Sequence, residues 1–259
     1  MKFASIFTAM GVAGALVIAP LAQAADSQAL TQAQKDQIGI VIHDYLIKNP
    51  EVIAEAIQGM QKKQMDQMRS KGKDAALKNA NQLFNQSTDP VGGNPDGKTT
   101  LVEFFDYQCP HCVDMESDVM ATLKANPDVR IVYKEFPIRG QVSVISSKAA
   151  LGAMKQGKYS QFHDLLMTNA QSLSAEKIME LAKSIGLDTK KLKIDMDSPD
   201  VDAQIKANYK LAQDLQLYGT PALFVVQGKT PKDIDAIEFI PGQVDQKGLQ
   251  AAIDKVKTK

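Results

Sequence analysis

The chain has 259 residues, 44% of them apolar and 23% charged, and its 30 basic and 30 acidic side chains cancel. That composition suits a globular protein with one full-sized core and an appendage, and it lacks the basic surplus a nucleic-acid binder uses. Trp is absent, which leaves any binding surface to Phe, Tyr, Met and Leu.

The first element in chain order is an address. Met1-Lys2 gives a short positive start, Phe3 to Ala22 is almost uncharged, and Ala22-Gln23-Ala24 is a small-x-small pattern before Ala25-Asp26. This predicts a cleavable signal peptide over residues 1–24, with an uncleaved anchor as the alternative. No later stretch is long and apolar enough to span a bilayer, so the expected product is a soluble exported protein, periplasmic where there is an outer membrane.

Residues 25–88 form a Gln-, Lys-, Ala- and Met-rich region that reads as helices. Ile38, Val41, Ile42, Tyr45 and Leu46 recur at helical spacing. Asn49-Pro50-Glu51 restarts a helix, with Asn as the expected N-cap. Its stripe of Ile53, Ile57, Met60 and Met68 is narrow and the opposite face is polar, so it must pack on its own core or on another copy. From Asn85 to Lys98 the chain is rich in Pro, Gly, Asn and Asp, which is turn chemistry and a domain boundary.

Thr99–Phe105 reads as a strand, Cys109 to about Ala125 as a helix, and Val129–Phe136 as a second strand. Strand–helix–strand order implies a parallel pair with a crossover helix. Residues 143–217 are mostly helical, Ala222–Val226 is a third strand, Ile237–Ile240 a fourth, and Gln246–Val256 a closing helix. The fold class is therefore α/β.

The chain has two cysteines, Cys109 and Cys112, three positions apart. A disulfide across so short a loop constrains the unfolded chain little, so reactivity is the better reason for the pair. Pro110 suits the first helical position and sets Cys109 at the N-cap, where free N–H groups and the helix dipole favour a thiolate. Cys112 lies one turn along on the same face, in reach of a disulfide. The spacing supplies an exposed, acidic nucleophile and a partner that resolves a mixed disulfide, and His111 can add a donor or charge. Zinc is the bland alternative, but His43, His111 and His163 show no ligand spacing to the pair. Haem attachment needs His directly after Cys112, where Val113 stands.

Glu103-Phe104-Phe105-Asp106-Tyr107-Gln108-Cys109-Pro110-His111-Cys112 resembles the active-site segment of DsbA-type proteins, and Gly219-Thr220-Pro221-Ala222 resembles their cis-proline loop. The resemblance implies a thioredoxin fold over residues 89–259 with a helical insertion at about 141–217. It makes Cys109 the attacking thiolate, Cys112 the resolving thiol, Pro221 a cis-proline, and Thr220 the hydroxyl beside the sulfurs, as in disulfide isomerases. It makes Glu103 a buried acid in proton transfer, the alternative being a solvent-facing strand residue. No role is expected for Asp106 or Tyr107, and His43 and His163 are expected at the surface or in packing.

His43-Asp44-Tyr45-Leu46-Ile47-Lys48-Asn49-Pro50-Glu51-Val52 resembles the N-terminal extension of the Com-type and suppressor-of-copper-sensitivity-type subset. It implies an all-helical oligomerisation region and a homo-oligomer, a dimer foremost. The expected function is a periplasmic oxidoreductase that forms and isomerises disulfides in exported proteins, reset by a membrane redox partner, with no cofactor, metal or nucleic acid. A holdase or surface protein, or Cu(I) handling on Cys109, Cys112 and His111, are the alternatives.

Overall fold

The computed structural model describes residues 29–258; the signal-peptide reading lies outside them. The chain divides into two compact units after Ile57. Among the described residues no helix is long and apolar enough to cross a membrane.

The first unit holds α1 (Gln32–Lys48) and the start of α2 (Glu51–Lys78). Thr31 opens α1 with a capping box: its hydroxyl accepts from Gln34 N, and its own N–H donates to Gln34 Oε1 at 2.9 Å. Asn49, expected to cap α2, closes α1 instead, because its side-chain amide donates to Tyr45 O at 2.8 Å. No residue of α1 is buried, and Ile38, Ile40, Val41, Ile42, Tyr45, Ile47, Ile53 and Ile57 are all exposed.

The second unit is built on a five-stranded sheet in the order β1-β3-β2-β4-β5. Its strands are β1 (Val91–Gly93), β2 (Thr99–Phe105), β3 (Val129–Glu135), β4 (Ala222–Gln227) and β5 (Ile237–Ile240). β2 and β3 are parallel, joined by α4 (Pro110–Ala125); the other pairings are antiparallel. Every residue of β2 and β3 is buried, as expected of branched and aromatic strands covered on both faces.

Alternation along the strands divides the core in two. Leu101, Phe105, Ile131, Tyr133, Leu223 and Val225 pack with α4, α10 (Gln246–Lys257) and the inserted helices. Val102, Phe104, Val132, Phe224 and Val226 pack with Ala75 and Ala76 of α2 and with Leu83 and Phe84 of α3 (Ala80–Phe84). Gly72 lets α2 approach the sheet: a Cβ there would lie 2.3 Å from the Phe239 ring. Packing thus joins residues 72–84 to the sheet, whereas composition groups them with a region ending at residue 88. Residues 85–98 in turn contain β1, which their turn chemistry does not reveal.

The insertion contains α5 (Gln141–Met154), α6 (Tyr159–Thr168), a 3₁₀ turn at Ala170–Ser172, α7 (Ala175–Ser184), α8 (Thr189–Met196) and α9 (Pro199–Asp214). α7 opens on Ser174, whose hydroxyl accepts from Lys177 N, and Gly186 follows with φ +71°. α8 went unread because of its residues only Leu192 and Asp195 are buried, too few to mark a periodic face.

Candidate active site

β2 ends at Phe105 and delivers the chain to Cys109, the N-cap of α4 with φ −85° and ψ 114°, with Pro110 at the first helical position. The approach is held by Asp106, a residue given no role from sequence. Its carboxylate is buried and accepts from Gln108 N at 2.7 Å, Ile138 N at 2.7 Å and Arg139 N at 2.9 Å, and its carbonyl accepts from Cys109 N at 3.0 Å. One side chain therefore ties the segment before Cys109 to the loop after β3.

Both cysteines are thiols and both are buried, while Pro110 and His111 lie at the surface. The exposure expected of Cys109 is corrected here. The Thr220–Pro221 loop closes over it, and the Cys109 thiol donates to Thr220 O at 3.2 Å. The Thr220–Pro221 peptide bond is cis. The contact to Thr220 O favours the neutral thiol and is given up on ionisation. The stabilisation that outweighs it comes first from the Cys112 thiol, then from the Thr220 side chain, the Cys112 backbone N–H and the charge of Arg139. These hold Cys109 down at about 5 against the cost of burial. Cys112 is pushed far up, by burial first and then by its hydrogen bond to Cys109. The pair is thus split into one acidic and one protonated sulfur.

His111 Nδ1 lies 2.8 Å from Gln243 Oε1, and His111 is not among the groups that hold Cys109 down. Arg139 was missed in its stead: nothing in the sequence shows that the end of β3 returns to the helix N-terminus. Glu103 is buried on β2, paired in register with Tyr133 and Leu223, and neither carboxyl oxygen has a hydrogen-bond partner. The solvent-facing alternative fails because β2 is covered on both faces. Burial first, then the negative charges of Glu116 and Cys109, raise Glu103 well above the carboxyl range, so it holds its proton. The Thr220 hydroxyl is also buried, beside the Cys109 sulfur. Beside Pro221 runs a groove whose walls include Met68, Leu217, Tyr218, Phe239 and Pro241.

Behind the pair lies a polar cluster that sequence did not disclose. The Glu135 carboxylate accepts from Tyr107 OH at 3.1 Å, Tyr159 OH at 2.7 Å and Ser147 Oγ at 2.7 Å. His163 is fully buried against Phe105, Tyr107, Tyr133 and Tyr159, whereas His43 is exposed beside Asp44.

Residues 85–255 match the thioredoxin family model, and residues 34–67 match that of the copper resistance protein ScsC N-terminal domain. A thioredoxin-like oxidoreductase from Silicibacter pomeroyi DSS-3 is 40% identical with a TM-score of 0.61, over 69% of this chain and 98% of that one. BcfH of Salmonella enterica Typhimurium is 30% identical with a TM-score of 0.70, over 87% of this chain and 96% of its own. The thiol:disulfide interchange protein DsbA of Burkholderia cepacia is 26% identical over 180 residues, 63% of this chain and 84% of that protein. The chain also matches the Na(+)/H(+) antiporter NhaA of Herminiimonas arsenicoxydans at 28% identity, over 53% of this chain but only 22% of the antiporter's length. The chain belongs to the thioredoxin family, among the DsbA-type thiol:disulfide oxidoreductases of the ScsC-like subset.

Proposed function

We propose that this protein is a periplasmic thiol–disulfide oxidoreductase that both forms and isomerises disulfides in exported proteins. The observation that carries the reading is the split pair: Cys109 at a helix N-cap with a pKa of about 5, and Cys112 one turn inside and protonated.

In the oxidising direction a substrate thiolate attacks Sγ of Cys109, the Cys109–Cys112 bond breaks, and Cys112 leaves as a thiolate. Glu103, which holds a proton in the same buried space, supplies it to Cys112. A second substrate thiolate then attacks the substrate sulfur of the mixed disulfide and expels Cys109 as a stable thiolate. Two electrons pass to the protein, and a membrane redox partner removes them. In the isomerising direction the Cys109 thiolate attacks a substrate disulfide, and a different substrate thiolate expels it again, with no net electron transfer. Thr220 and Pro221, with the groove beside them, are the wall along which substrate backbone lies.

Isomerisation needs a substrate held through repeated exchange, and a paired or multiple active site provides that cleft. The exposed apolar side chains of α1 and early α2, in the segment that matches the ScsC N-terminal model, support a homo-oligomer formed there, a dimer foremost. Copper handling is the second reading, supported by that model's name and by two adjacent thiols. His111, the third ligand of that reading, hydrogen-bonds to Gln243.

Insulin reduction and scrambled-ribonuclease refolding test the proposal. Cys109→Ala should abolish both activities. Protein beginning at Gln58 should be monomeric by light scattering, keep insulin reduction and lose ribonuclease isomerisation. Full activity of Cys109→Ala would refute the mechanism, and a monomeric full-length protein at micromolar concentration would refute the cleft.

A further inference from the structure

Glu116 on α4 and His163 and Asp164 on α6 bring three ligand atoms within 4.8 Å of one another. Tyr107 links the cluster's His163 to Glu135, and the cluster includes neither cysteine. By itself it is an acidic group like many others; the histidine is what distinguishes it.

The hydrogen bonds assign the His163 tautomer for an ionised Glu135, whose carboxyl burial raises to about 7. The three hydroxyls that converge on that carboxylate then each donate to it. Tyr107 spends its proton on Glu135, its oxygen accepts from His163 Nδ1–H at 3.0 Å, and the lone pair of Nε2 points the other way. In that direction Nε2 meets Glu116 Oε2 at 3.5 Å. Nε2 and both Glu116 oxygens are buried, and none of the three has a hydrogen-bond partner. His163 is fully buried.

An imidazole lone pair facing a carboxylate is repulsive unless something positive lies between them. A second proton on His163 would give a charge-assisted bond, which is ordinarily about 2.7–2.9 Å long. The observed 3.5 Å is longer, and it matches the roughly 3.4 Å between neighbouring ligands of a tetrahedral ion with bonds of about 2.0–2.2 Å; the cluster's spacings reach 4.8 Å, so the half-buried Asp164 side chain must rotate inward to complete the site. Among the described residues no lysine or arginine pairs with Glu116 or Asp164. The arrangement behind the imidazole is also that of a metal ligand, whose second ring nitrogen donates to an outer partner and so holds the ring in place. Here that partner is Tyr107, itself held by Glu135.

We propose that Glu116, His163 and Asp164 form a binding site for a divalent transition cation of the zinc type, separate from the redox pair. One imidazole and two carboxylates are a nitrogen–oxygen donor set that such an ion accepts, with a fourth position left for water. Because the ligands come from two helices, the ion would bolt the redox helix to the inserted helical domain.

The test uses the full mature protein in its disulfide form, so that the thiols cannot bind metal, titrated with Zn²⁺ by calorimetry and with Co²⁺ by visible absorption. One equivalent should bind at micromolar affinity or better, Co²⁺ should give the d–d bands of a four- or five-coordinate ion, and thermal unfolding should shift upward. Glu116→Gln and Asp164→Asn should each weaken binding at least tenfold, while Tyr107→Phe, which removes the outer partner, should weaken it about 10–100-fold. Thermal unfolding of each metal-free variant shows that it is folded. The proposal is overturned if the disulfide form binds no Zn²⁺ at millimolar concentration, or if folded Glu116→Gln and Asp164→Asn bind it as tightly as the parent.

Discussion

Helices α1 and α4 are nearly the same length, 17 and 16 residues, and both carry apolar side chains at helical spacing. α4 buries Cys112, Met115, Val119 and Thr122 against the sheet, whereas α1 buries nothing. Within one chain the apolar groups of α4 are answered and those of α1 are not. Burial of a side chain such as Ile is worth about 1.5–3 kcal/mol, so the two helices store that free energy differently. In α4 it holds a reactive pair in place; in α1 it is available for association, which costs several kcal/mol before any surplus appears.

Substitutions sharpen this contrast. The largest effect belongs to the packed residues 72–84: Phe84→Ala should destabilise the protein by about 3–5 kcal/mol in urea unfolding, since the ring is fully buried in one cluster with Val102, Phe104 and Phe224. An effect below about 1 kcal/mol would show that residues 72–84 are peripheral after all.

Next comes a substitution that should stabilise. Glu103 buries both carboxyl oxygens unpaired, and its folded pKa lies well above the ordinary 4.5. A carboxyl with a raised folded pKa costs the fold least below the unfolded value; the penalty grows as pH rises from there and is complete once pH has passed the folded one. Glu103→Leu should therefore raise stability at alkaline pH by about 1–3 kcal/mol, a gain that shrinks below pH ~4 to what remains from burying an unpaired neutral carboxyl, and should slow disulfide exchange. Unchanged exchange rates would remove Glu103 from the mechanism.

The smallest effect belongs to the exposed helices. Ile42→Ala or Ile57→Ala should change the unfolding free energy of the protein beginning its transition from monomer by no more than about 0.5 kcal/mol, while shifting the association equilibrium measured by sedimentation. Loss of fold stability with no change in association would invert the comparison.

Much of the site was readable in the chain because its determinants are local. Cys109 as N-cap, Pro110 at the first helical position and Cys112 one turn on follow from four consecutive residues. β2 announces itself by Leu101, Val102, Phe104 and Phe105. The determinants that escaped are long-range. Cys109 is buried by Thr220, 111 positions away, and is tuned by Arg139 from the loop after β3. β1 is Val-Gly-Gly, a strand only because β3 lies beside it. His163 carries no neighbouring motif, and its partners Tyr107 and Glu116 come from other elements.

The central claim is that the pair is split, and the pH dependence of Cys109 reactivity tests it most directly. The thiol's folded pKa is depressed from 9.0 to about 5. Its stabilisation of the reduced form is full above pH ~9, the unfolded value, and is lost as pH falls through about 5. The reduced protein, alkylated briefly with iodoacetamide between pH 3 and 9 and mapped by peptide mass, should label at Cys109 with a midpoint near 5 while Cys112 stays unmodified. A midpoint near the ordinary 9.0, or preferential labelling of Cys112, would contradict the account.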